Sequence, residues 1–446
     1  MYENTQIIDQ IINDAENIVL NIDRKKFDIF LKVVEKIIID NKVLLGGKIG
    51  IQALTGESLS KDSYLWHIYA DNPTKMSKII TDKLYHSDSK DINKETIFLE
   101  TNLIDKEFTI YIDNRIIFKI YGLGNFRDYK LYNLIGSINV NSFFHDKQMK
   151  IISGEMYLID IYQKLYTPYA KKIGGYTTYS EYRILENAIY NKIIHQLLQK
   201  TLGIEGGNDK QTLYEITDEN LHLVKQLLFD TIINKTDRII IGDYALYLYA
   251  YSNQYKFSRK YEQLRMQILT SEDIEILQSL VQRILKNNSY NNTIKYVNYE
   301  LNIPSDFRIK KYIIYVLNNQ GDRIPLIDIF NSPQYELIPF KKVSFNNNEI
   351  KIGGLYVLLR FKFIDLWTLK LIYNIDNTKM KRKNIEYKIR NILSDIRFLK
   401  KITDEINDLS ELFQTENYIG TYIDEFLAKK KIIKESGLKH KRYYPK

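Results

Sequence analysis

The sequence predicts an α+β chain in which two tandem modules, each a small sheet with attendant helices, are preceded, joined and followed by helical segments. Three observations predict it. The stretch VLLGGKIGIQALTGESLSKDSYLWHIYADNPTKMSKIITDKLY (Val43–Tyr85) runs as apolar strand, diglycine turn, amphipathic helix, aromatic-rich strand and second helix, and a hairpin follows it. The same order returns in weaker form between Arg238 and Phe340. The segments outside these stretches carry apolar residues at helical spacing. At 446 residues the chain is long enough for two or three modules with separate cores.

Residues 1–40 are read as N-terminal helices. Ile7, Ile8, Ile11, Ile12, Ala15, Ile18 and Val19 give one stripe; Phe27, Phe30, Leu31, Val34, Ile37 and Ile38 give a second, with a break near Asn21–Asp23. Residues 41–150 form the first module. Proline is well tolerated in a first turn, so a helix opens after Pro73, and FTIYIDNRIIFKIYGL is a hairpin turned at Asp113-Asn114. Residues 151–235 form a linking region, helical from Gly154 to Gln199, with a first helix ending at Pro168 and a flexible linker at GIEGGND, residues 203–209. Residues 236–345 form the second module: RIIIGDYALYLYAY, then RMQILTSEDIEILQSL, then a hairpin turned at Gln320-Gly321. Residues 346–446 are read as helical. YVLLRFKFIDLWTLKLIY is a buried helix interrupted by Arg360, Lys362, Asp365 and Lys370, and the chain closes on the basic tail AKKKIIKESGLKHKRYYPK.

Composition narrows the function classes. Hydrophobic content of 44% and aromatic content of 13% belong to a folded chain. The 36 tyrosines accompany abundant Ile, Lys and Asn, a bias that points to AT-rich coding and not to a nucleic-acid platform. A net charge of +9, spread along the chain, is compatible with a polyanionic partner. The absence of Cys excludes disulfides, thiolate zinc sites and a cysteine nucleophile, and implies an intracellular protein. No 18-residue apolar run and no signal-peptide pattern occur, so no membrane is expected. The six histidines lack ligand spacing, and GGKIG fails as a phosphate-binding P-loop because Lys48 is followed by Ile49. No metal site is expected. Lys429, Lys430, Lys431, Lys439, Lys441 and Arg442, next to Tyr443 and Tyr444, form a basic cluster with aromatics, suited to gripping phosphates and stacking bases of RNA.

The order of strand, Gly-Gly turn, helix and second strand resembles the opening of a nucleotidyltransferase domain of the polymerase-β type. The chain as a whole resembles the poly(A) polymerase catalytic subunit of large cytoplasmic DNA viruses, of the mimivirus and asfarvirus kind. The likeness extends over nearly the whole length and is carried by Gly46-Gly47, IYADNP, LIDIYQKLYTP, IIIGDYALYL, LIDIFNSPQYELIPF, LRFKFIDLW and YIGTYIDEFLAKK with its YYP end, in common order. The resemblance implies two nucleotidyltransferase-like modules and a role in mRNA 3′-end polyadenylation in the host cytoplasm, at the viral factory, or in the virion. It further implies addition of adenylates from ATP with Mg²⁺ or Mn²⁺, and a homodimer or a pairing with an active subunit. Matched residue by residue, Gly46, Gly47 and Lys48 stand at the phosphate-approaching turn. Leu65 and His67 stand where paired metal-binding aspartates are needed, and Lys119 stands at the third carboxylate position. In the second module Asp328 keeps one carboxylate, while Arg265 and Gln267 hold the paired positions.

Three readings of different class follow. In one, the chain is a degraded, noncatalytic homologue that needs no cofactor and serves as RNA-binding or scaffold partner. In another, it is a structural virion protein that uses the fold only for packing. In the third, it is an active adenylyltransferase whose metal ligands come from Asp62, Asp71 or Asp113. Metal-borne charge stabilisation carries phosphoryl transfer almost entirely, and losing one strong electrostatic contributor costs about 10²–10³ in rate. The first reading is therefore expected, with Lys119 lying within a few ångströms of Gly47.

Overall fold

The computed structural model describes residues 24–41, 43–59, 66–87, 93–102, 107–113, 115–122, 136–166, 193–199, 227–231, 238–257, 266–287, 295–300, 310–317, 323–331, 338–345, 348–375, 379–405 and 441–445. The chain divides into two compact units. One comprises Met1–Ile161, Lys172–Glu205 and Lys431–Lys446, and the other Tyr162–Lys171 and Gly206–Lys430.

In the first unit, helix α1 (Arg24–Asn41) turns Phe30, Leu31, Val34, Ile37 and Ile38 into the core, the face that its spacing predicts. Strand β1 (Leu44–Gly47) leads into α2 (Lys48–Thr55), and β2 (Trp66–Ala70) leads into α3 (Pro73–Tyr85). Asn72 caps α3 by accepting from the Lys75 N–H at 2.9 Å, and Pro73 opens it, so the turn IYADNP specifies a helix start. The sheet continues with β3 (Phe98–Asn102), β4 (Glu107–Ile112), β5 (Arg115–Gly122), β6 (Gly136–Asn141) and β7 (Gln148–Ile152), followed by α4 (Gly154–Tyr166). Asp113 takes φ 50° at the β4–β5 turn, a conformation Asp tolerates, and it accepts from Thr96 Oγ1 at 2.6 Å. Buried Glu35 of α1 accepts the Phe143 and Phe144 N–H groups at 2.9 and 3.1 Å and the Ser142 hydroxyl, which ties α1 to the β6–β7 turn.

The second unit repeats this plan. Strand β8 (Ile239–Ile241) leads into α5 (Gly242–Ser252), and β9 (Met266–Thr270) leads into α6 (Ile274–Asn287). Then come β10 (Lys295–Glu300), β11 (Lys310–Leu317), β12 (Arg323–Asn331), β13 (Phe340–Phe345) and β14 (Asn348–Gly353), and the long helices α7 (Leu355–Ile375) and α8 (Lys379–Glu405). The first sheet has the order β15–β3–β4–β5–β2–β1–β7–β6, where β15 is Lys441–Tyr443, and the second has β10–β11–β12–β9–β8–β14–β13. Apart from β15, the two orders are the same. In both, the first strand pairs antiparallel with the second, and the second pairs parallel with the returning strand of the hairpin. The fold is α+β with two tandem nucleotidyltransferase-type modules, as the sequence order predicts.

Two features differ from the sequence reading. The second sheet does not stop at residue 345, because β14 follows β13 in a hairpin and lies parallel to β8. Its buried Ile350 and Ile352 alternate with Lys351 over too short a run to stand out against the helix that follows. The C-terminal region is also not helical throughout: Lys441–Tyr443 joins the first sheet as an edge strand on β3. The stripe Ile7–Val19, the GIEGGND linker and the Gln320-Gly321 turn lie outside the described residues.

Candidate functional site

In the first module Gly46 pairs with His67 across β1–β2, and His67 pairs with Lys119 across β2–β5. The register thus places His67 and Lys119 side by side, where the resemblance puts the second and third carboxylates. Both are half-buried, and the His67 ring lies 5.3 Å from that of Tyr121. Leu65 and Asp62 lie outside the described residues. The backbone of Lys119 is two strand spacings from that of Gly46, about 10 Å, so the expected approach of Lys119 to the diglycine within a few ångströms is not made by the backbone.

The diglycine itself has a neighbour that sequence reasoning missed. Gly47 adopts φ 74° and ends β1 in a left-handed turn into α2, which a side chain would strain. The Tyr157 hydroxyl, from α4, donates to the Gly47 carbonyl at 3.0 Å. A Cβ on Gly50 would lie 1.8 Å from that hydroxyl, and one on Gly46 would lie 3.0 Å from it and 2.6 Å from the Tyr69 ring. The close approach permitted by Gly46 and Gly50 is therefore an approach of Tyr157, while Lys48 remains exposed. Burial, reinforced by the charge of Asp160, pushes the Tyr157 hydroxyl well above the usual tyrosine range, so it stays a donor. The spacing Gly46-x-x-x-Gly50 across a strand–helix junction is a signal for a bulky partner. Tyr157→Phe is expected to cost about 1–3 kcal/mol, the penalty for leaving the buried carbonyl unsatisfied, and equilibrium urea unfolding measures it.

The second module presents the same constellation in another chemical form. Ile241 pairs with Gln267, and Gln267 pairs with Asp328. Gly242, with φ 69°, takes the place of Gly47, and a Cβ there would fall 1.6 Å from the Gln267 side-chain oxygen. Gln267 Nε2 donates at 3.2 Å to both Asp328 and Asp365. Lys311, on the adjacent β11, sets its ammonium 3.4 Å from Asp328 and 3.2 Å from Asp365, and 4.9 Å over the Phe330 ring. Asp328 is wholly buried. Arg265 lies outside the described residues. Beside this cluster Lys362 of α7 bonds Asp395 of α8 at 2.7 Å and also Asp243, the second residue of α5.

Mg²⁺ takes oxygen ligands, usually one or two carboxylates besides waters and phosphates. At the second and third carboxylate positions the first module offers an imidazole and an ammonium, His67 and Lys119. The second offers a neutral amide and one carboxylate that already has an ammonium as counter-ion. Neither set fits two divalent ions, and no group of three His, Asp or Glu suited to a metal occurs among the described residues. Asp71 follows β2 at the end away from His67, about 13 Å along the strand, and burial raises its carboxyl above the ordinary range. Asp113 sits in the hairpin turn, bonded to Thr96. Neither is brought to the paired positions.

The predicted RNA-binding residues separate into two sets. Lys429, Lys430, Lys431 and Lys439 lie outside the described residues, whereas Lys441, Arg442 and Tyr443 form β15. Arg442 pairs with Glu100 at 3.6 Å and covers the Phe98 ring at 5.3 Å. The Tyr443 hydroxyl donates to Asp82 at 2.8 Å, a bond that raises it above the usual tyrosine range, and Lys78 lies 5.2 Å over its ring. Tyr444 is exposed, with its ring 5.9 Å from Phe98. No helix among the described residues is long and apolar enough to cross a membrane.

No protein-family model matches the chain. It is 24% identical over 433 residues to an uncharacterized protein of African swine fever virus (Tick/Malawi isolate), covering 95% of this chain and 92% of that protein. The counterpart from the South African Pretoriuskop isolate is 23% identical over 432 residues, with the same coverage. Among solved structures, the Megavirus polyadenylate synthase superposes with a TM-score of 0.67 at 14% identity, covering 99% of this chain and 85% of that one. That likeness extends to both modules and concerns the fold.

Proposed function

We propose that this chain is a noncatalytic homologue of a viral poly(A) polymerase catalytic subunit, serving in mRNA 3′-end polyadenylation as an RNA-binding or scaffold partner of an active polymerase. Its setting is the cytoplasm of a cell infected by a large DNA virus, as the family resemblance implies, and the viral source of the relatives with full-length similarity supports an infected cell. One observation carries the reading: in the module that retains a carboxylate, the Lys311 ammonium stands on Asp328 and Asp365. An internal cation supplies the charge compensation that an active site leaves to metal ions. The first module supports the same reading, since His67 and Lys119 hold the registered positions there.

The test is a tailing assay. The purified chain is incubated with a labelled RNA primer, ATP and either Mg²⁺ or Mn²⁺, and the primer is followed on a sequencing gel. No extension is expected with either metal, while the same primer is retained in a mobility-shift gel. Extension that disappears when Asp71 or Asp113 is changed to Asn would establish an active enzyme with unusual ligands. Absence of both extension and retention leaves only a packing role for the fold.

A further inference from the structure

The second module carries a pocket that the function proposed above has not used. It is an open hollow of about 590 Å³ where α5 ends against the edge strand β13, lined by Tyr251, Asn253, Gln254, Lys341, Lys342 and Ser344 among others. Tyr251 is 58% exposed, an unusual position for a large ring. Its ring is nevertheless fixed: it stacks on Tyr247 one helical turn back, with centroids 6.3 Å apart, and meets Phe345 edge-on at 5.4 Å. Tyr247 is itself braced by Phe257 at 6.1 Å. The result is an aromatic face presented to solvent.

The polar groups around that face differ in how far they are engaged. Lys341 is half-buried, with its ammonium 5.0 Å from the centroid of the Tyr249 ring, and among the described residues it has no carboxylate partner. Burial holds its ammonium below the ordinary lysine range, which an arriving anion would reverse. Lys342 is exposed and pairs with Glu349 at 2.7 Å. The carbonyls at the end of α5 are already satisfied: Tyr249 accepts from Asn253 Nδ2 at 2.7 Å, and Ala250 accepts from the Tyr255 N–H at 2.8 Å. Gln254, held at φ 60°, presents an amide with no side-chain bond among the described residues.

We propose that this pocket binds one nucleotide of a single-stranded RNA, the base stacked on Tyr251 with its edge toward Gln254 and the adjoining phosphate on Lys341. An aromatic face with a cation beside it is the chemistry that single-stranded nucleic acid recognises without demanding a sequence. The site rests on the RNA-binding part of the function proposed above, and it lies in a different place from the C-terminal basic cluster.

The test measures anisotropy of a fluorescein-labelled 15-nucleotide oligo(A) with the full chain across a salt series, with AMP as competitor. Tyr251→Ala should weaken binding about 5- to 100-fold, the effect of one stacked base, while Tyr251→Phe keeps it. Lys341→Gln should reduce the log–log salt slope by about 0.7, and Lys341→Arg should restore it. Wild-type binding with an unchanged Tyr251→Ala variant overturns this pocket and leaves RNA binding standing elsewhere. Displacement of the RNA by micromolar AMP assigns the pocket to a free nucleotide and overturns the strand. If the wild type binds no RNA, both this site and the RNA-binding function fall.

Discussion

Lys362→Met is expected to destabilise the second unit by about 3–5 kcal/mol, the cost of removing one partner of a buried ion pair. Lys362 stands between Asp395 of α8 and Asp243 of α5, and both it and Asp395 are almost wholly buried. Removing the ammonium leaves two carboxylates facing each other, one with little access to water. The methionine fills much the same volume, so the loss is electrostatic and not a cavity. Each unit contains one tryptophan, Trp66 in the first and Trp367 in the second, and both are buried. Urea unfolding followed by fluorescence in a Trp66→Phe background therefore reports on the second unit alone. The double variant Lys362→Met/Asp395→Asn should recover part of the loss. Unchanged stability of the single variant would show that the ion cluster contributes nothing.

Lys311→Met is expected to have an effect of similar size, about 3–5 kcal/mol, for the same reason and with a functional consequence. Asp328 is fully buried, with the Lys311 ammonium 3.4 Å from it and the Gln267 amide at 3.2 Å. A neutral amide does not offset a buried charge. Asp328→Asn in the Lys311→Met background removes that charge and should restore most of the stability. If Lys311 takes the place of a metal ion, the single variant should also regain stability on addition of Mn²⁺, whereas the double variant should not. A metal effect of equal size in wild type and variant would sink the substitution of ammonium for metal.

Much of the architecture is legible in the sequence because it depends on local chemistry. The Asp113-Asn114 hairpin, the Asn72-Pro73 helix start and the apolar face of α1 each follow from a few adjacent residues. The pairing of His67 with Lys119 is also legible, since the resemblance fixes which strand returns beside which. Lys311 is not. It meets Asp328 because both lie on one face of the antiparallel β11–β12 pair, and it meets Asp365 because α7 returns across the sheet. No local pattern encodes either meeting. Tyr157 was hidden for a related reason: α4 reads as a helix in a linking region, and its packing on Gly46 and Gly50 depends on the parallel β1–β7 pairing that precedes it. Three residues of the basic tail also serve as a strand, too short a run for periodicity to register.

That short strand has a consequence for how the first unit is made. β15 closes the β3 edge of a sheet whose other strands all precede residue 153. It is synthesised roughly 340 residues after β3, which at about 5–20 residues per second is on the order of 20–70 s. Throughout that interval the β3 edge has its own backbone donors and acceptors open to any extended chain nearby, including the one growing on the next ribosome. The first module is thus the earliest to emerge and the last to be sealed.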